Sequence, residues 1–98
     1  MGHNVKNITA AIESRLAAAA RGDSSAYFEL GVLYSTGSDG VSVDLVEAHK
    51  WFNLAAMAGH DESQMCRSEI SLEMTAREIA EAQREARGWL QLTTRRAA

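Results

Sequence analysis

Proline is missing from the 98 residues altogether, and cysteine occurs once, as Cys66. The lack of proline leaves no position where a ring would break a helical hydrogen-bond ladder. A lone thiol closes no disulfide within the chain, so nothing in it calls for an oxidising compartment, and a reduced, cytoplasmic setting is the expectation. Long apolar runs are missing too: no stretch approaches the roughly eighteen residues of a membrane-spanning helix. The opening MGHNVKNITA has no basic region followed by an apolar one, the order a secretory signal requires. Neither sign of charge dominates. Ten Lys and Arg against thirteen Asp and Glu leave a net charge of −3, which weakly opposes nonspecific attraction to nucleic acid or an anionic membrane, and neither is expected as a partner.

The chain is 46% hydrophobic and 23% charged, ordinary for a folded protein and too apolar for a disordered one. Its length fits a single domain over residues 1–98 with no second core. Alanine is abundant, and the glycines sit mainly where apolar periodicity stops, a pattern of helices with punctuated ends. The first helix is predicted to start near Asn7, which can cap it, and to end at Gly22. Its packing stripe is Ile8, Ala11, Ile12, Ala18 and Ala19, with Leu16 close by. The second runs from Asp23 or Ser24 to Ser35, with Ala26, Leu30, Leu33 and Tyr34 on its inner face.

The segment TGSDGVSVD interrupts this pattern. Gly37 and Gly40 can take positive φ, and Val41 and Val43 can tuck against the adjoining helices. Asp44 and Glu47 have the spacing of a reciprocal capping box, opening a third helix that stops at Gly59. A fourth, less amphipathic helix spans about Asp61 to Leu72. Thr75 and Glu78 open a long final one, whose apolar side is Ile79, Ala82, Ala86, Trp89 and Leu90. Gly88 weakens this last helix by roughly 1 kcal/mol relative to alanine and need not break it.

An offset of 37 positions places Gly22 on Gly59 and Ala11 on Ala48, and sets AAAARG beside LAAMAG, although Asp23 and Asp61 align only after a one-residue slip. That period suits two short helices and their connections. The expected architecture is therefore all-α, a short α/α superhelix of antiparallel helical hairpins. Residues 7–22 read as a partial N-terminal unit, 23–59 as a complete repeat, and 60–98 as a degenerate C-terminal capping unit with a long final helix. Neighbouring hairpins in such a stack bury the apolar surface that one hairpin leaves open. Ala48, Ala55 and Ala56 permit close approach, and Tyr34, Trp51 and Phe52 provide the large contacts.

Ala26, Leu30-Gly31, Tyr34, Gly37, Gly40-Val41, Asp44, Ala48, Trp51-Phe52, Ala55-Ala56 and Gly59 occur in one ordered series, and in this the chain resembles the Sel1-like repeats, relatives of the tetratricopeptide fold. The resemblance covers one full repeat, with partial units on either side. It implies an α/α solenoid of the kind that serves as an adaptor in assembly or signalling. The following unit departs from the pattern, with Arg67-Ser68 in place of Leu30-Gly31 and Ser71 in place of Tyr34, as a terminal capping unit would. Many extracellular relatives staple each hairpin with paired cysteines, and the single Cys66 argues against that subclass.

In the tetratricopeptide arrangement the first helix of each pair lines the concave face. Carried over, this selects Ser25, Phe28, Val32 and Ser35, and at the 37-residue offset Glu62, Met65 and Glu69. Together they would form an apolar groove with an acidic side, suited to a helix or extended peptide of another protein bearing a few basic groups. The leading alternative for Phe28, Val32 and Met65 is core or interhelix packing, and the same strip could instead join two copies as a homo-oligomer. Tyr27 and Trp89 read as packing residues.

Catalytic, cofactor and metal chemistry find little support. His49 and His60 lie far apart in sequence with no ligand spacing around them, His49 reading as a partly exposed helix residue and His60 as a junction residue. The two carboxylates of DGVSVD lack an EF-hand pattern and read as a turn followed by an N-cap. Cys66 beside Arg67 reads as an inert, partly buried thiol. Glu78, Glu81 and Glu85 read as a solvated face, and Arg84, Arg87, Arg95 and Arg96 as solvated or helix-terminal charges. No phosphate loop is present. The expectation is a non-enzymatic protein without cofactor.

Overall fold

The structure, a computed structural model, describes the backbone of residues 3–97 and the side chains of residues 10–94. Five helices account for it: α1 (His3–Ala20), α2 (Ser24–Thr36), α3 (Leu45–Met57), α4 (Glu62–Ser71) and α5 (Ala76–Ala97), with a single 3₁₀ turn at Ser38–Gly40 and no strand among the described residues. The all-α expectation holds. α2 and α3 form the central antiparallel hairpin. α1 packs on α2, while α4 and α5 each pack on α3 and touch each other little.

Local signals explain most of the boundaries. Asp23 caps α2 by accepting from the Ser25 and Ala26 amides at 2.9 and 3.3 Å. At the far end Gly37 sits at φ 72° and donates its N–H to the Leu33 carbonyl. A Cβ on Gly37 would also meet the Val41 carbonyl oxygen and a Val43 methyl carbon, each at 3.1 Å, so the turn needs glycine for space as well as for φ. Thr75 and Glu78 complete the capping box in both directions, at 2.8 and 3.1 Å. α5 runs unbroken through Gly88.

The 37-residue period appears directly in the helix ends. α1 closes with Gly22 N–H to Ala19 O at 2.9 Å and Asp23 N–H to Ala18 O at 3.2 Å; α3 closes with Gly59 N–H to Ala56 O at 3.1 Å and His60 N–H to Ala55 O at 2.9 Å. Both pairs are the two bonds of a Schellman motif, with Gly22 at φ 83° and Gly59 at φ 96°. His60 therefore occupies the place of Asp23, without the slip that aligning the two aspartates would need. Asp61, one residue later, is already helical and makes no side-chain cap.

The core joins Ala19 of α1, Ala26, Tyr27, Leu30 and Leu33 of α2, Trp51, Leu54 and Ala55 of α3, and Ala86 of α5. Full burial of a side chain such as Leu30 stabilises by about 2 kcal/mol. Gly31 is set by Phe52: a Cβ there would lie 2.5 Å from two carbons of the Phe52 ring. Tyr27 stacks on Trp51 with centroids 6.0 Å apart, and Trp89 meets Trp51 edge-on at 4.9 Å. The Trp89 indole N–H donates to the Tyr27 hydroxyl at 3.2 Å, tying α5 to α2.

Several expectations need correction. α1 begins at His3, so Asn7 lies inside the helix and does not start it; the side chains of Asn7 and Ile8 fall outside the described set. Asp44 caps α3 by accepting from the Glu47 amide at 3.1 Å, but the reciprocal bond is absent. The Asp44 N–H goes instead to the Tyr34 carbonyl at 2.9 Å. Glu47 is drawn off by tertiary neighbours, accepting from the Trp51 indole N–H at 3.0 Å and pairing with Lys50 at 3.2 Å. Val41 is half-buried as expected, whereas Val43 remains 57% exposed.

Candidate interaction surface

α2 and α4 run in the same direction, separated by the antiparallel α3. Ser25 is exposed in the first turn of α2, its amide already engaged by Asp23. Phe28 and Val32, one turn apart, are half-buried while Ala26, Leu30 and Leu33 of the same helix are buried. Phe28 sits 5.8 Å from the Phe52 ring and stacks on the His60 imidazole at 4.4 Å with 19° between planes. His60 lies just ahead of α4 and shares a 2.9 Å hydrogen bond between Nδ1 and the Ser63 hydroxyl. This stack links the apolar strip of α2 to the start of α4. Ser35 is half-buried, and its hydroxyl donates back to the Val32 carbonyl at 3.2 Å. On α4, Glu62, Met65 and Glu69 are exposed, Met65 by 67%.

The inner side of α4 is polar where the inner side of α2 is apolar. Ser63, at the position of Ala26, is fully buried. Arg67, at the position of Leu30, turns toward α3 and donates from Nη1 to the Asn53 amide oxygen at 2.5 Å. His49 lies on the same helix as Asn53, one turn earlier, and here the expectation of a partly exposed residue is corrected: it is 3% exposed, with Nδ1 buried and unpartnered. Burial first, and the Arg67 charge second, hold its pKa below the ordinary histidine value. The sequence offered no sign of this, because the residues that cover His49 belong to the tertiary fold.

Other titratable groups occupy structural settings. Cys66 is half-buried and its thiol is pushed up by burial and by the charges of Glu62 and Glu69, the opposite of an activated thiolate. Glu78 and Glu81 are exposed, whereas Glu85 is half-buried near Lys50, 3.9 Å away, which corrects the reading of one solvated acidic face. Burial raises the Glu85 pKa, Lys50 opposes that, and Glu47 and Glu81 add to it. Lys50 also lies 4.4 Å over the Trp51 ring. Asp39 is exposed with φ 57° in the turn, and Asp44 is the α3 cap. Arg84 and Arg87 are exposed; the side chains of Arg95 and Arg96 are outside the described set. Among the described residues no group of three or more His, Cys, Asp and Glu is placed to hold a metal. None of the described helices is long and apolar enough to cross a membrane.

A family profile for the Sel1 repeat matches residues 24–60, which span α2, the turn, α3 and its closing glycine. This segment of the chain is similar to a Sel1 repeat, and within it the Phe52 ring occupies the space that a side chain on Gly31 would need. Sel1 repeats are, in general, modules of protein–protein interaction. Neither the curated proteins nor the solved structures compared with the chain gave a match.

Proposed function

We propose that the protein is an adaptor that holds a segment of another protein on the face shared by α2 and α4, through Ser25, Phe28, Val32, Ser35, Glu62, Met65 and Glu69. The observation that supports this is the incomplete burial of Phe28 and Val32 beside the Phe28–His60 stack, which carries an accessible apolar strip from one repeat helix toward the next. The α4 and α5 helices close the stack, with polar Arg67 and Ser71 on α4 at the positions that Leu30 and Tyr34 hold on α2. Binding, not catalysis, is the activity, and the cytoplasm is the proposed setting.

The test is position-specific photo-crosslinking in cells, with the crosslinking residue placed at Val32, at Met65 or at Arg84 on α5. The same partner should be trapped from Val32 and Met65 and missed from Arg84. Trapping only from Arg84, or only of a second copy of the chain, would refute the adaptor reading.

A further inference from the structure

The outer face of α4 has a charge pattern that bears on the chemistry of its partner. Glu62, Met65, Cys66 and Glu69 follow the i, i+3, i+4, i+7 spacing of one helix face. Both carboxylates are exposed, and neither pairs with a cation among the described residues. Their fields overlap on this face, since both raise the pKa of the Cys66 thiol lying between them. The single basic residue of α4, Arg67, is turned away and engaged by Asn53. Between the two acids stands Met65, a flexible side chain that can repack against varied apolar groups and is largely exposed here.

We infer that this face selects a basic amphipathic helix of another protein, with two Lys or Arg residues seven positions apart bracketing an apolar residue that covers Met65. The inference rests on the reading of α2 and α4 as the binding face. Seven residues of α-helix rise about 10 Å, so cations at that spacing on a partner lying along α4 come opposite Glu62 and Glu69 together. Opposite charges in this arrangement set register and exclude acidic segments, while Met65 and the Phe28–Val32 strip supply the apolar contact.

The test uses two synthetic helical peptides of roughly 18 residues, long enough to be helical in isolation. One carries arginines seven apart around a leucine; the other has glutamates in their place. The whole protein should bind the first and not the second, and binding should weaken as salt is raised. Replacing both Glu62→Gln and Glu69→Gln should weaken it roughly three- to tenfold, the range for two exposed pairs, with circular dichroism unchanged. Met65→Ser should weaken it independently of salt. Equal binding of both peptides, reduced alike by Val32→Ser, would overturn the charge selection while leaving the groove standing. Binding of neither, together with a mass that grows with concentration, would overturn both and assign the face to a second copy, whose Arg77 and Arg84 on α5 have the same seven-residue spacing.

Discussion

The α2–α3 hairpin and the α4–α5 segment follow one another along the chain, α4 standing near the 37-residue offset from α2, yet they are held in different ways. In the first, Gly31 admits the Phe52 ring and Tyr27 stacks on Trp51, so the two helices bury each other. In the second, Arg67 and Ser68 stand where Leu30 and Gly31 stood, and each helix is mounted separately on α3. Only Ser63 of α4 is buried, whereas α2 buries Ala26, Tyr27, Leu30, Gly31 and Leu33. One complete hairpin thus supplies most of the core, completed by Ala19 of α1 and Ala86 of α5. That leaves the next helix free to present its outer face.

The sharpest way to break this comparison is to truncate an aromatic of the first hairpin. Trp51→Ala removes the ring that Tyr27, Trp89 and Lys50 all contact, and should cost about 3–5 kcal/mol in denaturant unfolding. Met65→Ala on α4 should stay within about 0.5 kcal/mol. Next in size, Gly31→Ala forces a methyl against Phe52 and should cost about 1–3 kcal/mol despite alanine's better helix propensity. The equivalent Ser68→Ala on exposed α4 backbone should be neutral or slightly stabilising, as followed by thermal midpoint.

Caps provide a smaller contrast. Asp23→Ala and Thr75→Ala each remove side-chain acceptors from a helix start and should cost about 1 kcal/mol. Asp61→Ala removes no cap bond and should cost under about 0.5 kcal/mol through the helix dipole alone.

The smallest effect is in pH. His49 has a depressed pKa in the fold, so the unfolded chain binds the proton more readily, and stability that is intact above about 6.5 is lost as pH falls below it. Glu85, with a raised pKa, acts in the opposite sense, gaining relative stability as its carboxyl protonates. Arg67→Leu should lessen the His49-linked decline by removing one of its two causes, and His49→Gln should abolish it, both measured as midpoints between pH 7 and 5.5.

What was legible in the sequence follows from locality. Gly37, Asp44, Thr75–Glu78 and Gly59 act on amides and carbonyls within a few residues of themselves, so their roles could be read from spacing. The repeat signature Leu30-Gly31 with Trp51-Phe52 was legible for another reason, as a fixed pattern shared with the Sel1-like repeats, although the contact it encodes crosses between helices. The burial of His49, the diversion of Glu47 to Trp51 and Lys50, and the pairing of Arg67 with Asn53 depend on which helix lies opposite. On the proposed interaction surface, the helix faces of Glu62, Met65 and Glu69 could be placed from periodicity. The Phe28–His60 stack could not, because it depends on how the Schellman turn at Gly59 aims the next residue.

Residue-resolved native-state hydrogen exchange tests the central contrast most directly. The amides of α2 and α3 should exchange only through global unfolding, and those of α4 through a smaller opening of distinctly lower free energy. Protection of α4 equal to that of α2 and α3 would contradict the account, showing one cooperative unit with no separately mounted helix.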